Sequence, residues 1–266
     1  QETNIPNLYA IGECDYHYHG GNRLGANSLL SCIFSGLFVA PCIENRLASQ
    51  VGGSAVELPS SLFESACKQQ QGIDDDLKKR DSDGENPYHL HQQLGAIMTS
   101  AATVVRRNEQ LQDATEKVNE LHQRAQKCSL SDTGNWTNQN MVFTKSLLDM
   151  FPLAKTILKG ALQRDECRGA HFKPDFARPS ITAEDPAERQ RQAEEWCDVF
   201  EENNKKWLKS TIATWNHESQ QPDITYEDVD TSLIPPRPRL YGLVGGEEIE
   251  RVWNERSAAQ QDSGNA

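Results

Sequence analysis

The fold is decided by residues 5–35, which read IPNLYAIGECDYHYHGGNRLGANSLLSCIFS. The apolar run over residues 5–12 predicts a turn followed by a short buried strand that ends in a glycine. Residues 13–27 then form a loop rich in Gly, His and Asn. Residues 28–46 predict a helix that is apolar nearly all round, which is typical of a buried helix. Pro41 is expected to kink or end this helix.

This order of strand, Gly-Glu pair, glycine-rich loop and buried helix is typical of a ligand-binding arrangement. Gly12 allows the backbone to approach a ligand closely, and Glu13 is placed to accept hydrogen bonds from hydroxyl groups. Ser28 and Leu29 begin a helix whose free N–H groups favour negative charge. Arg23 offers a planar guanidinium suited to one carboxylate. The alternative, that the turn serves packing alone, stays open at this point.

Residues 87–163 predict three antiparallel helices that pack as a bundle. Pro87 suits the first position of the first helix, and the third helix covers about residues 138–163. The second helix is charged and carries a narrow apolar seam, in which the steps alternate between three and four residues. The seam consists of Leu111, Ala114, Val118, Leu121 and Ala125.

The pattern changes after residue 168. Residues 181–206 are charged and predict a helix, whereas residues 207–217 and 224–229 alternate as expected of a small β-hairpin. Residues 235–238, Pro-Pro-Arg-Pro, are expected to be extended. From about residue 245 the polar tail is expected to be disordered.

Composition excludes several classes of function. A net charge of −12 argues against non-specific binding to nucleic acid. No run approaches the roughly 18 apolar residues of a membrane span, so we expect no direct membrane insertion. The seven cysteines show no Cys-x-x-Cys spacing, which predicts neither a metal site nor an iron–sulfur ligand set. The start without Met suggests a truncated coding sequence or an excised fragment.

Four further motifs follow residues 5–35: ENPYHLHQQLG at 85–95, WTNQN at 136–140, GALQRDECRGAHFKPDF at 160–176 and YEDVDTSLIPPRPR at 226–239. In this order, the five motifs resemble the flavoprotein subunits of succinate dehydrogenases and fumarate reductases. Gly21 stands where Ala or Ser is common in that family, which is a small departure. The Tyr-His-Gly loop and the long tail look most like the bacterial branch typified by diheme quinone-linked complexes.

The resemblance implies an α+β fold that forms the C-terminal half of such a subunit. Residues 1–48 would be the C-terminal end of a Rossmann-like FAD-binding domain. Residues 57–163 would form the three-helix bundle domain, after a linker at residues 49–60. Residues 164–244 would form a small α/β C-terminal domain, followed by a disordered tail at 245–266.

The resemblance also implies roles for individual residues. Glu13 corresponds to an acidic contact to FAD, and Ser28 and Leu29 correspond to backbone contacts to FAD at the helix N-terminus. Arg23 corresponds to an arginine that binds a carboxylate of a dicarboxylate substrate beside the flavin. His19, in the same loop, is a candidate substrate contact, although a structural role is the more frequent one for such a histidine. No metal ligand is implied.

No catalytic residue is implied in this chain. The family's Gly-x-Gly-x-x-Gly motif, its flavin-linking histidine and its proton-transferring arginine would lie upstream, so the chain alone is expected to be inactive. Arg168 and His171 match a further family motif. For these two, an attachment of the C-terminal domain to the flavin domain is favoured over direct chemistry.

The implied activity is oxidation of succinate to fumarate, or the reverse, by hydride transfer to FAD. Electrons would pass through a separate iron–sulfur subunit to a membrane-anchor cytochrome b subunit and quinone, at the cytoplasmic face of the bacterial inner membrane. One alternative is a soluble flavoenzyme like L-aspartate oxidase, against which residues 226–239 weigh. Another is a non-catalytic helical interaction module, against which the intact Glu13, Arg23 and Ser28 weigh. The direction of the reaction stays open.

Overall fold

The computed structural model describes residues 1–49, 59–80 and 83–264. The chain divides into two compact units, Gln1–Asp81 with Arg168–Ala170, and Ser82–Cys167 with His171–Ala266. The helical bundle and the C-terminal segment therefore share a unit, whereas we expected separate domains that divide at residue 163. The expected linker lies almost wholly outside the described residues.

The N-terminal segment of the first unit forms a turn and a minimal antiparallel pairing. The amide of Leu8 donates to the carbonyl of Ile5 (3.1 Å), and a single bridge joins Glu2 to Tyr9. The expected buried strand is wrong, since Ile5, Leu8 and Ile11 are exposed. A buried strand needs paired neighbours and covered faces, and within the described residues this segment has only the one bridge.

Helix α1, Asn27–Ser49, confirms the predicted helix and runs through Pro41 without ending there. Arg46 fixes its last turn to the N-terminal segment, because its guanidinium pairs with Glu2 at 2.5 Å. The expectation of burial is not met in this chain, where Ser35 is the one buried residue of the helix. The large exposed apolar side chains of the helix are Leu29, Leu30, Ile33, Phe34, Leu37, Phe38 and Leu47.

Helix α1 is also long and apolar enough to cross a membrane, with a mean hydropathy of 1.4. The expectation that no such run occurs is therefore wrong by length and composition. Core helices of soluble proteins can have the same length and hydropathy, so these two properties alone do not assign α1 to a membrane. Helix α2, Ser60–Lys79, follows in the same unit and buries Leu77.

The second unit is built around the predicted three-helix bundle: α3 (Pro87–Ala102), α4 (Asn108–Ala125) and α5 (Gln139–Gln163). Asn86 and Asn138 cap α3 and α5, each accepting a hydrogen bond from a backbone amide of the first turn. The predicted seam is confirmed, because all five of its residues are buried in one core. The core also contains Leu90, Leu94, Ala101, Ala102, Cys128, Leu147, Phe151, Ala154, Leu158 and Ala161.

The predicted hairpin is confirmed as β1 (Lys209–Asn216) and β2 (Gln221–Asp228), paired antiparallel. Both strands pack against α5. The buried ammonium of Lys155 donates to the carbonyl of Gln220 (3.1 Å), and Lys159 donates to the carbonyl of Pro222. These two lysines of α5 therefore hold the turn and the start of β2.

A second core lies between α6 (Pro186–Trp207) and α7 (Gly246–Gly264). The expected disorder from residue 245 is wrong over α7, because Ile249 and Val252, one helical turn apart, are buried against α6. An ion pair from Arg189 to Glu248 (2.5 Å) joins the starts of the two helices. The core consists of Ile181, Ala193, Trp196, Cys197, Phe200, Ile249 and Val252.

Candidate functional site

The five predicted site residues lie on one continuous segment of the first unit. Glu13 is in a short 3₁₀ turn, Gly12–Cys14, and His19 ends a second one, His17–His19. Arg23 lies in the loop between this second turn and α1, whereas Ser28 and Leu29 are in the first turn of α1. The order along the chain is therefore acidic group, histidine, arginine and helix N-terminus.

The turn that carries Glu13 packs against α1. A Cβ atom added to Gly12 would lie 3.8 Å from Sγ of Cys32, which is on the second turn of α1. Glu13 itself is exposed. Its carboxylate therefore faces solvent, next to a turn that is held against the beginning of α1.

The two histidines of the loop have different surroundings. Nδ1 of His17 lies 2.8 Å from Oδ1 of Asp15, whose side chain is buried. Apart from this contact, most of the His17 side chain is exposed to solvent. His19 is half-buried, and its ring contacts that of Tyr18 with 4.6 Å between centroids. Its role as a substrate contact stays a prediction.

Arg23 is exposed in the loop that leads into α1. The loop closes with a turn, since the amide of Asn27 donates to the carbonyl of Leu24 (3.3 Å) and Ala26 has a φ of 66°. Among the residues that the structure describes, no carboxylate pairs with Arg23. Its guanidinium can therefore bind the carboxylate of a ligand without first breaking an ion pair.

The residues present fit a flavin in their chemistry. The carboxylate of Glu13 is an exposed acceptor for hydroxyl groups, and the first turn of α1 holds no acidic side chain. The N–H groups of Ser28 and Leu29 belong to the first turn, where a helix has no internal acceptors for them. An acceptor for hydroxyls and a helix N-terminus suited to negative charge therefore lie on one segment.

The structure adds a specific contact to the loop, where the sequence predicted only a general attachment through Arg168 and His171. Arg168–Ala170 belongs to the same compact unit, and the amide of Ala170 donates to the carbonyl of Gly21 (3.1 Å). A Cβ atom on Gly21 would lie 3.0 Å from Cγ of Arg168. The sequence signal was present as the glycine of Arg-Gly-Ala-His, but nothing in a single sequence pairs it with a loop nearly 150 residues earlier.

His171, the last residue of that motif, is held within the second unit. Its Nδ1 lies 2.7 Å from Nη1 of Arg106, and its Nε2 lies 2.8 Å from the carbonyl oxygen of Arg164. Arginine can only donate, so Nδ1 accepts and Nε2 carries the proton of a neutral ring. Burial lowers the pKa of His171, and the nearby charge of Arg106 lowers it further. These contacts describe a structural histidine.

An ion pair between a buried lysine and a half-buried aspartate holds the neighbouring part of the same motif. The side chain of Lys173 is fully buried, and it donates to Oδ1 of Asp165 (2.9 Å) and to the carbonyl of Leu162 (3.0 Å). Burial raises the pKa of Asp165, but hydrogen bonds from Lys173 and Asn108 outweigh it, so the net shift is downward. The density of satisfied polar contacts indicates a structural role for this part of the motif.

Comparisons with known proteins show which family this chain resembles. The sequence family described as "Fumarate reductase flavoprotein C-term" matches residues 91–241, and the family described as "FAD binding domain" matches residues 1–29. The succinate dehydrogenase flavoprotein subunit of Bacillus subtilis is 41% identical over 91% of this chain and 37% of its own length. The fumarate reductase flavoprotein subunit of Escherichia coli is 28% identical over 91% of this chain and 36% of its own.

The fold agrees as well. A solved structure of the Escherichia coli quinol fumarate reductase matches with a TM-score of 0.70 and 27% identity, over 91% of this chain and 37% of that one. This chain thus spans a little over a third of the length of these relatives. Because the family match over residues 91–241 covers more than half of the 266 residues, the chain belongs to the fumarate reductase flavoprotein C-terminal family.

Proposed function

We propose that this chain is the C-terminal part of an FAD-dependent subunit that oxidises succinate to fumarate, or performs the reverse reaction. The observation that carries the proposal is the exposed segment in which Glu13, Arg23 and the N-terminus of α1 follow one another. In a chain of this family, that segment offers groups for both a flavin and a dicarboxylate. The soluble-oxidase alternative has less support, since the relatives named above are succinate dehydrogenase and fumarate reductase subunits.

The residues that would hold FAD are Glu13, Ser28 and Leu29. The carboxylate of Glu13 would accept a hydrogen bond from a hydroxyl of the cofactor. The N–H groups of Ser28 and Leu29, at the positive end of the α1 dipole, would stabilise negative charge that develops on the ring system. When bound, FAD supplies the hydride-accepting centre of the reaction.

Arg23 would bind one carboxylate of the dicarboxylate through two parallel N–H donors. This contact would fix the orientation of the substrate, so that the reacting C–H bond points at the cofactor. His19 would provide a second polar contact to the substrate from the same loop. No residue of this chain is assigned to proton transfer, which we place in the upstream part of the subunit.

The exposed apolar face of α1 supports the proposal that the subunit is longer than this chain. Six large apolar side chains between Leu29 and Phe38 are each at least half exposed, and a soluble protein rarely leaves such a patch open. We place the remainder of the FAD-binding domain against this face. The isolated chain should then aggregate and bind FAD weakly, because it lacks the contacts to the adenine and pyrophosphate.

The partners proposed for the subunit are a separate iron–sulfur protein and a membrane-anchor cytochrome b subunit. None of the seven cysteines, all of them in the described part of the chain, forms a disulfide, and Cys128 and Cys197 are buried in separate cores of the second unit. The electron relay would therefore be on another chain. In this proposal the subunit would lie at the cytoplasmic face of the bacterial inner membrane, attached through its partners.

The test uses a chimera in which the upstream part of the Bacillus subtilis subunit precedes residue 1 of this chain; we call it the restored subunit. It should purify with bound flavin and reduce a dye acceptor when succinate is added, in a reaction that malonate inhibits. The isolated 266-residue chain is the matched control and should do neither. A restored subunit that binds flavin stoichiometrically but shows no activity with succinate or fumarate would contradict the proposal.

A further inference from the structure

A close approach of two backbone segments supports the loop that carries Arg23. The amide of Ala170 donates to the carbonyl of Gly21 at 3.1 Å, two residues before Arg23. Gly169, the residue before this donor, has a φ of +57°. A Cβ atom there would lie 2.1 Å from the carbonyl oxygen of Gly21 and 2.8 Å from the amide nitrogen of Asn22. No side chain other than the hydrogen of glycine fits at this position.

We propose that Gly169 is a positioning residue for the dicarboxylate site, because it allows Ala170 to bind the Gly21 carbonyl and so fixes the backbone that presents Arg23. This inference rests on the proposed role of Arg23 in substrate binding. Gly169 touches neither the substrate nor the cofactor, and it acts through the loop. Positioning matters here because a two-donor contact to a carboxylate requires the guanidinium to be placed accurately.

The structure gives a reason why other residues should not replace Gly169. The atoms it approaches are backbone atoms of Gly21 and Asn22, which cannot rotate aside as a flexible side chain can. By contrast, the nearest neighbour of an added Cβ at Gly21 is Cγ of Arg168, a side-chain atom, at 3.0 Å. Gly21→Ala, which restores a residue common in the family, should therefore disturb the loop much less than Gly169→Ala.

The loop offers two matched controls. Gly25 has no heavy atom within 4 Å of an added Cβ and has no left-handed φ, so Gly25→Ala introduces neither clash nor strain. Gly20 also has open space but a φ of +67°, so Gly20→Ala introduces backbone strain without a clash. Gly169→Asn completes the set, because Asn tolerates a positive φ better than Ala yet keeps the clash.

The experiment measures three quantities in the restored subunit: flavin content, hydrogen exchange of the peptide over residues 17–25, and malonate affinity from the change in flavin absorbance. In Gly169→Ala and Gly169→Asn, we expect flavin content to stay near wild type and exchange of the peptide to accelerate. Malonate affinity should fall at least about tenfold, as expected for a weakened charged contact. Gly25→Ala should match wild type in all three quantities.

Wild-type exchange or wild-type malonate affinity in Gly169→Ala would overturn the proposal. If that variant does not fold, the unmodified restored subunit provides the test, because coupling between two sites is reciprocal. Malonate should then slow exchange at the Ala170 amide and leave the core of α4 unchanged, and an unaffected Ala170 would overturn the proposal. A wild-type restored subunit that does not bind malonate would instead contradict the proposed function, while the exchange of residues 17–25 would still test the backbone contact.

Discussion

The side chain of Arg106, between α3 and α4, donates to the imidazole of His171 across 2.7 Å. The contact does not stand alone. The amide of Arg106 donates to the carbonyl of Phe172 (2.9 Å), and Val105 forms a parallel bridge with Phe172. Side chain and backbone thus join the α3–α4 connection to the segment after the Arg-Gly-Ala-His motif. This junction requires a neutral His171, because a protonated Nδ1 could not accept the hydrogen bond from the guanidinium of Arg106.

The first prediction is that acid destabilises the second unit. Burial lowers the pKa of His171 and also that of His122, which the charge of Lys155 lowers further. The unfolded chain therefore binds protons that the native state does not, and stability should fall as the pH drops below about 6.5. The slope for each histidine is at most about 1.4 kcal/mol per pH unit.

Hydrogen exchange of the α3–α5 peptides in the restored subunit, followed at increasing urea concentration, measures this slope for the second unit. His171→Gln should reduce the slope between pH 7 and pH 5. The same substitution at His217, exposed on the hairpin turn, is the matched control. An identical slope in wild type and His171→Gln would show that the junction does not depend on a neutral histidine.

The second prediction concerns the core of the bundle. Phe151 is fully buried and stacks on His122 with 4.7 Å between ring centroids. Phe151→Ala should lower the free energy of unfolding by about 3–5 kcal/mol, because it removes buried apolar surface and leaves a cavity. Val142→Ala, at an exposed position on the same helix, should change it by less than about 0.5 kcal/mol. Equal effects of the two substitutions would place Phe151 outside the core.

The third prediction distinguishes the packed helix α7 from a disordered tail. Ile249 is fully buried in the second core, so Ile249→Ala should cost about 2–5 kcal/mol. Urea unfolding measures this cost, with Glu255→Ala at an exposed position of α7 as the control. If Ile249→Ala were as stable as wild type, the tail would not be packed against α6 in solution.

The sequence predicted elements that carry their own periodicity and missed those that depend on distant partners. The seam from Leu111 to Ala125 was predicted because the buried residues of an amphipathic helix recur every three or four positions in the sequence. The same spacing exists at Ile249, Val252 and Trp253, but the charged residues around it suggested a disordered tail. The contact of Ala170 with Gly21 produces no repeating pattern in the sequence, because it joins backbone groups nearly 150 residues apart.

The fourth prediction concerns cofactor binding. In the restored subunit, Glu13→Gln should lower flavin occupancy before it changes malonate affinity, because a neutral amide is a weaker acceptor than a carboxylate. Flavin absorbance per protein measures occupancy, and Glu44→Gln at an exposed position of α1 is the control. Wild-type flavin occupancy in Glu13→Gln would show that Glu13 does not contribute to flavin binding.

The central claim, that this chain presents a dicarboxylate-binding arginine beside a flavin, is tested most directly by malonate affinity in flavin-loaded Arg23→Lys. Lysine keeps the charge but lacks the two parallel donors. The account predicts that the restored subunit keeps its fold and flavin, while malonate affinity falls at least about tenfold. Arg237→Lys, exposed in the second unit, should bind malonate as wild type does. Unchanged malonate affinity in folded, flavin-loaded Arg23→Lys would contradict the account and leave Arg23 a residue of the loop alone.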